Sequence, residues 1–118
     1  MSPSHLSKWT EANGLVFVSG QLPYDGSRTV VGAAIHEQTV QALKNLEETL
    51  RSAGLGLSDV RKATVWLRSA ADFAGFNDAY AAVFGDHRPA RATVVCDLVA
   101  PQALVEIEAV AARPTHGA

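Results

Sequence analysis

An internal disulfide is the first thing this chain lacks the means to make: its 118 residues include a single cysteine, Cys96. A lone thiol within an apolar alternation reads as a small buried side chain and not as a nucleophile, and a reducing compartment is expected. Charge of one sign is missing too. Ten basic and 12 acidic residues leave a formal charge of −2, and the basic ones are scattered, so nucleic acid is not an expected partner. No apolar run approaches the roughly 18 residues of a membrane span, and no basic stretch with an apolar core marks a secretion signal. The expectation is a soluble cytoplasmic protein without a membrane partner. His5, His36, His87 and His116 show no two-histidine metal spacing and read as surface residues, so no metal is expected. Gly14, Gly32 and Gly54 lack the spacing of a phosphate loop.

What is present suffices for one core. At 47% hydrophobic residues the chain fits a single domain over residues 1–118, without internal repeat or low-complexity segment. Up to Asn13 the pattern leaves the structure undetermined, with Trp9 its bulky anchor. After the Asn13-Gly14 turn signal, Leu15-Val-Phe-Val-Ser19 reads as a strand ending at Gly20, with Val16 and Val18 on one face and Phe17 and Ser19 on the other. Thr29-Val-Val31 is a candidate short strand. From Ala34 to Ala53 the period becomes helical: Ile35, Thr39, Ala42, Leu43, Leu46, Leu50 and Ala53 recur every three or four residues, and Gly54 is the stop. Gln38, Gln41, Lys44, Glu47, Glu48 and Arg51 make its expected solvated face. Arg61 to Leu67 reads as a strand, with Ala63, Val65 and Leu67 opposite Lys62, Thr64 and Trp66. Ser69-Ala-Ala-Asp72 resembles a capping box opening a second helix, whose stripe is Phe73, Phe76, Tyr80, Val83 and Phe84.

The stretch Pro89-Ala-Arg-Ala-Thr-Val-Val-Cys96 seats one arginine at the mouth of an apolar strand. Alternation groups Arg91, Thr93 and Val95 on one face and Ala92, Val94 and Cys96 on the other. In the last strand, Leu104 to Ala111, Val105, Ile107, Ala109 and Ala111 oppose Glu106 and Glu108. Two readings of Arg91 stand side by side: an anion ligand, for which a guanidinium is well shaped, or a cross-strand salt bridge to Glu106 or Glu108. The order β-(β)-α-β-α-β-β predicts an α+β fold, a single mixed β-sheet with two helices packed on one face. The bare face is expected to carry Phe17, Ser19, Thr64, Trp66, Arg91, Thr93, Val95, Glu106 and Glu108. That mixture is too apolar for water and too charged for a monomer core, so a subunit interface is expected, with any ligand in a cleft between subunits.

These pieces resemble the Rid family of enamine/imine deaminases, also known as the YjgF family. The matching stretches are Val18-Ser-Gly-Gln-Leu-Pro23, Gln38-Thr-Val-Gln-Ala-Leu-Lys-Asn-Leu46, Ala53-Gly54 with Ser58-Asp-Val60, Asp72-Phe with Asn77 and Tyr80, Pro89-Ala-Arg91 and Val105-Glu-Ile-Glu-Ala109. The resemblance runs from about residue 14 to residue 112. It implies a chorismate-mutase-like fold, a homotrimer with three sites in the clefts between subunits, and hydrolysis of 2-aminoacrylate-type enamines and 2-imino acids to 2-keto acids and ammonia without a metal or organic cofactor. It also implies that Arg91 holds the substrate carboxylate, that Glu106 handles water and protons, and that Ser19, Gly20, Asn77 and Thr93 lie near the pocket. Two positions depart from the best-known subgroup. A Gly-Pro-Tyr segment near the N-terminus is replaced by Ser4-His-Leu-Ser-Lys-Trp9, with Trp9 the candidate substitute for the tyrosine; a cysteine two residues after the arginine is replaced by Thr93. Two alternatives follow from these departures and from the wider family: a non-catalytic trimer that binds small carboxylates or keto acids, and, against the charge balance, an endoribonuclease or translation inhibitor.

Overall fold

Alternating apolar residues build the sheet that carries everything else. In the structure, a computed structural model describing residues 4–115, five strands run β1 (Trp9–Ala12), β2 (Leu15–Gln21), β3 (Val60–Leu67), β4 (Ala90–Val95) and β5 (Val105–Ala112), in the spatial order β1-β2-β5-β3-β4. All neighbours are antiparallel except β3 and β4. Those two are joined by a helical crossover, the connection that parallel strands require. β5 in the centre alternates without a fault: Val105, Ile107, Ala109 and Ala111 are buried, and the residues between them are half-buried.

Helices α1 (Ile35–Ser52) and α2 (Phe73–Phe84) pack together on one face of this mixed sheet, as the sequence predicts. α1 has the required apolar spacing, carries Glu37 in its first turn and Arg51 in its last to suit its dipole, and ends at Gly54, whose φ of +78° lets the chain turn back. Leu43, Leu46 and Leu50 are fully buried against the sheet, where each truncation to alanine costs about 2–5 kcal/mol. Phe76, Tyr80 and Phe84 supply the buried stripe of α2. Phe73 stays 44% exposed.

One open segment is resolved and four local expectations, at Thr29–Val31, Gln38, Ser69 and His87, are corrected. The N-terminal segment forms β1, whose Trp9 pairs with Val18, packs half-buried against the core and donates its indole N–H to Ser52 Oγ at 3.1 Å. The Thr29–Val31 stretch is no strand but a bridge between Val30 and Tyr24. Gln38, assigned to the solvated face of α1, is 1% exposed. Ser69 caps a 3₁₀ turn over Ala70–Asp72 through Ala71 N–H, ahead of the helix proper. His87 is half-buried with Nε2 2.7 Å from Val60 O, whereas His5 and His36 are exposed; His116 lies outside the described residues. No helix among the described residues is long and apolar enough to cross a membrane, and no group of histidine, cysteine or acidic side chains there is placed to hold a metal.

Candidate active site

Glu106 sits near the start of β5 on the sheet face that carries no helix, paired with Trp66 of β3. Opposite it β2 is irregular. Val18 pairs with Ala109 but Gln21 with Ile107, so three steps on β2 match two on β5 and Ser19 and Gly20 form a bulge. A bulge bends its strand and re-aims what it carries. Here it brings the Gly20 backbone against the Glu106 carboxyl: a Cβ on Gly20 would lie 3.1 Å from Glu106 Cδ and would overlap Oε2. Gly20 is needed for space and not for its φ, which lies outside the left-handed region. Ser19 is held in place by its hydroxyl, which donates to Ser7 O at 2.6 Å, and by its N–H, which donates to Lys8 O at 3.0 Å.

Glu106 lines a hollow of about 260 Å³ with Gly20, Trp66, Cys96, Leu98 and Val99. Partial burial there raises its pKa above the ordinary carboxylate range, and the neighbouring Glu108 carboxylate raises it further. Its proton is therefore retained closer to neutrality. A second hollow, about 280 Å³, lies beside it over Leu6, Ser7, Phe17 and Ser19.

Arg91 is elsewhere. Parallel pairing sets Arg91 beside Ala63 and Thr93 beside Val65, both of which face the helices. Arg91, Thr93 and Val95 therefore share the helix side, and the expectation that they stand beside Glu106 on the bare face is wrong. The Arg91 guanidinium rests against α2, 4.8 Å from the ring centre of Tyr80, 5.2 Å from Phe76 and 5.9 Å from Phe73. Such stacking is worth about 0.5–2 kcal/mol and fixes the fork while leaving its N–H groups available. Among the described residues the Arg91 side chain makes no ion pair and no hydrogen bond, so the cross-strand salt bridge is absent. Arg91 and Glu106 are two strands and three residues apart, which at about 4.8 Å per strand and about 3.3 Å per residue separates their Cα atoms by ~14 Å, on opposite faces. One chain does not bring them together.

The family model described as endoribonuclease L-PSP matches residues 2–113. A RutC family protein of Pyrococcus horikoshii is 40% identical over 106 residues, covering 89% of this chain and 84% of its own. The 3-aminoacrylate deaminase RutC of Acinetobacter baylyi is 41% identical over 103 residues, 86% of this chain and 82% of its own. Among solved structures, a Rid family protein from Yersinia pestis superposes with a TM-score of 0.89 at 32% identity, covering 95% of this chain and 90% of that one. The chain belongs to the Rid family.

In this Rid protein the remaining expected site residues divide between the two faces. Ser19 and Gly20 stand with Glu106; Thr93 stands with Arg91; Asn77, half-buried on α2, is one turn from Phe73 and Tyr80, the rings that flank the guanidinium. Trp9 belongs to neither group, because its ring is on the helix side and tied to α1. Cys96, expected to be buried, is exposed just past the end of β4 and lines the Glu106 hollow. Trp66, expected as interface packing, lines that hollow. Arg68 and Gln38 matter through contacts distant in sequence that no local pattern reveals.

Proposed function

We propose that this protein is an enamine/imine deaminase that hydrolyses small 2-aminoacrylate-type enamines and 2-imino acids to 2-keto acids and ammonia, in a homotrimer whose sites join Arg91 of one copy to Glu106 of another. The single observation that carries the reading is a guanidinium braced by three aromatic rings and left without an anionic partner among the described residues. A bidentate grip on a carboxylate is what such a fork does best. The exposed apolar residues of the bare face, Leu15, Phe17 and Val94 among them, support burial against further copies. The 3-aminoacrylate deaminase among the relatives supports the chemistry.

The reaction needs a proton delivered to the enamine carbon, water added to the resulting iminium carbon, and ammonia expelled from the carbinolamine. The Glu106 carboxyl, whose hold on its proton is strengthened by partial burial, is suited to the first step. As a carboxylate it then accepts a proton from the attacking water. General acid–base assistance of this kind is worth about 10²–10⁴-fold. No step calls for a metal or organic cofactor.

Arg91→Ala should preserve the fold and slow the hydrolysis of 2-iminobutanoate, released in situ by a coupled dehydratase. Loss of a charged hydrogen bond of about 1.5–3 kcal/mol corresponds to roughly 10–150-fold in kcat/KM. Unchanged turnover in that variant rejects the assignment. A non-catalytic carboxylate-binding trimer is favoured by one observation, that Trp9 does not reach the hollow in place of the family's tyrosine. That reading requires saturable keto-acid binding with no acceleration of enamine hydrolysis. The endoribonuclease reading gains nothing from a chain with a formal charge of −2.

A further inference from the structure

The hollow around Glu106 has one wall that is not sheet. Leu98 and Val99 belong to the connection between β4 and β5, and Val99 at its tip is 94% exposed. A loop whose buried apolar residues are two alanines, Ala100 and Ala103, needs another source of order. Arg68, immediately after β3, supplies it. Its Nε donates to Ala103 O at 2.8 Å, and its Nη2 donates to Ala100 O at 2.9 Å and Leu98 O at 3.3 Å. The backbone N–H of Arg68 donates to Leu104 O at 3.0 Å. From the helix side, buried Gln38 accepts from Leu104 N–H at 2.7 Å and donates to Gln102 O at 3.1 Å. The guanidinium has no carboxylate partner among the described residues and spends its charge on three carbonyls of a single loop.

We propose that Arg68 is a positioning residue of the active site: by clamping the carbonyls of Leu98, Ala100 and Ala103 it fixes the wall of the hollow over Glu106, and so sets both the room for substrate and the dryness of the reacting carboxyl. The role rests on the reading of Glu106 as the reacting acid. It suits arginine in particular, because a rigid fork of N–H groups meets several carbonyls at once, whereas an ammonium is a point donor on a flexible stem. Leu98 and Val99 cover the hollow of Glu106 on that side, and partial burial is the larger cause of the carboxyl's raised pKa. The other ionisable groups facing the hollow are Glu108 on β5 and Asp97 in the loop; β2 and β3 present Gly20 and Trp66, which do not titrate.

The test compares wild type with Arg68→Met, which keeps an apolar stem without donors, and Arg68→Lys, which keeps the charge. Two readouts are taken on the full assembled chain: the titration midpoint of the Glu106 side chain by carbon-13 NMR, and kcat and KM for 2-iminobutanoate. In folded Arg68→Met the Glu106 midpoint should fall towards the ordinary carboxylate value and kcat should drop about tenfold or more, since a misplacement near 1 Å costs up to about 10²-fold. Arg68→Lys should recover part of both. A folded Arg68→Met with wild-type midpoint and kcat overturns the proposal; if that variant does not fold, Arg68→Lys with wild-type values does so. The two readings fail separately. A midpoint that moves in a protein without deaminase activity sustains the positioning role and overturns the function. Unchanged Arg68 variants beside an inactive Glu106→Gln sustain the function and overturn the positioning role.

Discussion

Replacing Gly20 by alanine tests the Glu106 hollow with a single methyl group. The new Cβ would lie 3.1 Å from Glu106 Cδ and 3.3 Å from Cγ, and it would overlap Oε2, whereas ordinary contact begins at 3.4 Å. The carboxyl must therefore retreat by about 1 Å, and a catalytic group misplaced by that much loses up to about 10²-fold in rate. The fold should survive, because what yields is the far end of a flexible side chain; an off-rotamer glutamate costs only about 0.5–1.5 kcal/mol. Gly20→Ala should accordingly melt within a few degrees of wild type yet show kcat for 2-iminobutanoate reduced by roughly 10–100-fold. A double-mutant cycle sharpens the result. If the methyl acts only through Glu106, Gly20→Ala in a Glu106→Gln background should cost nothing further, since the group it displaces is already disabled. Wild-type kcat in Gly20→Ala, or full additivity in the double mutant, would refute the reasoning.

Glu106→Gln should also change how stability depends on pH. The folded-state pKa of Glu106 lies above its unfolded value, so the native state binds more protons in the interval between them, and stability declines as pH rises through that interval. The glutamine variant should match wild type near pH 4 and melt higher near pH 7; an equal or lower melting temperature near pH 7 contradicts the burial argument. Gln38→Leu strands Leu104 N–H and Gln102 O, which a urea titration should register as a loss of about 1–3 kcal/mol. Glu11→Gln removes the charge that pairs with Arg113, whose Nε lies 2.8 Å from Glu11 Oε2. Its folded-state pKa is depressed, so that stabilisation is present above the unfolded value and disappears as pH falls through the folded one. The variant should melt lower than wild type at neutral pH and converge with it in acid.

The sheet and both helices were legible because Val16, Leu43, Leu46, Val65 and Ile107 recur at periods that only one face of a strand or helix explains, and the structure buries all of them. The facing of Arg91 was not. Its own face offers Thr93 and Val95 and the reverse face offers Ala92 and Val94, two sets too alike in polarity for alternation to choose between. The decision lies in the β3-α2-β4 crossover, whose parallel register sets Arg91 beside Ala63. Gln38 was misread because a polar residue next to a helix stripe looks solvated until the loop that covers it is known. The exposure of Cys96 follows from the same choice of face: with Arg91 on the helix side, the alternation sends Cys96 to the bare face, where it lines the Glu106 hollow. The bulge at Ser19 and Gly20 had a local trace in the glycine alone, while Trp9 lay in a segment whose mixed polarity conceals β1.

Under the proposed function, a cation and an acid displayed on opposite sides of one sheet leave each solitary chain with two halves of different sites and a complete copy of neither. On that proposal chemical competence belongs to the assembly, and dilution below its dissociation threshold should switch the chemistry off.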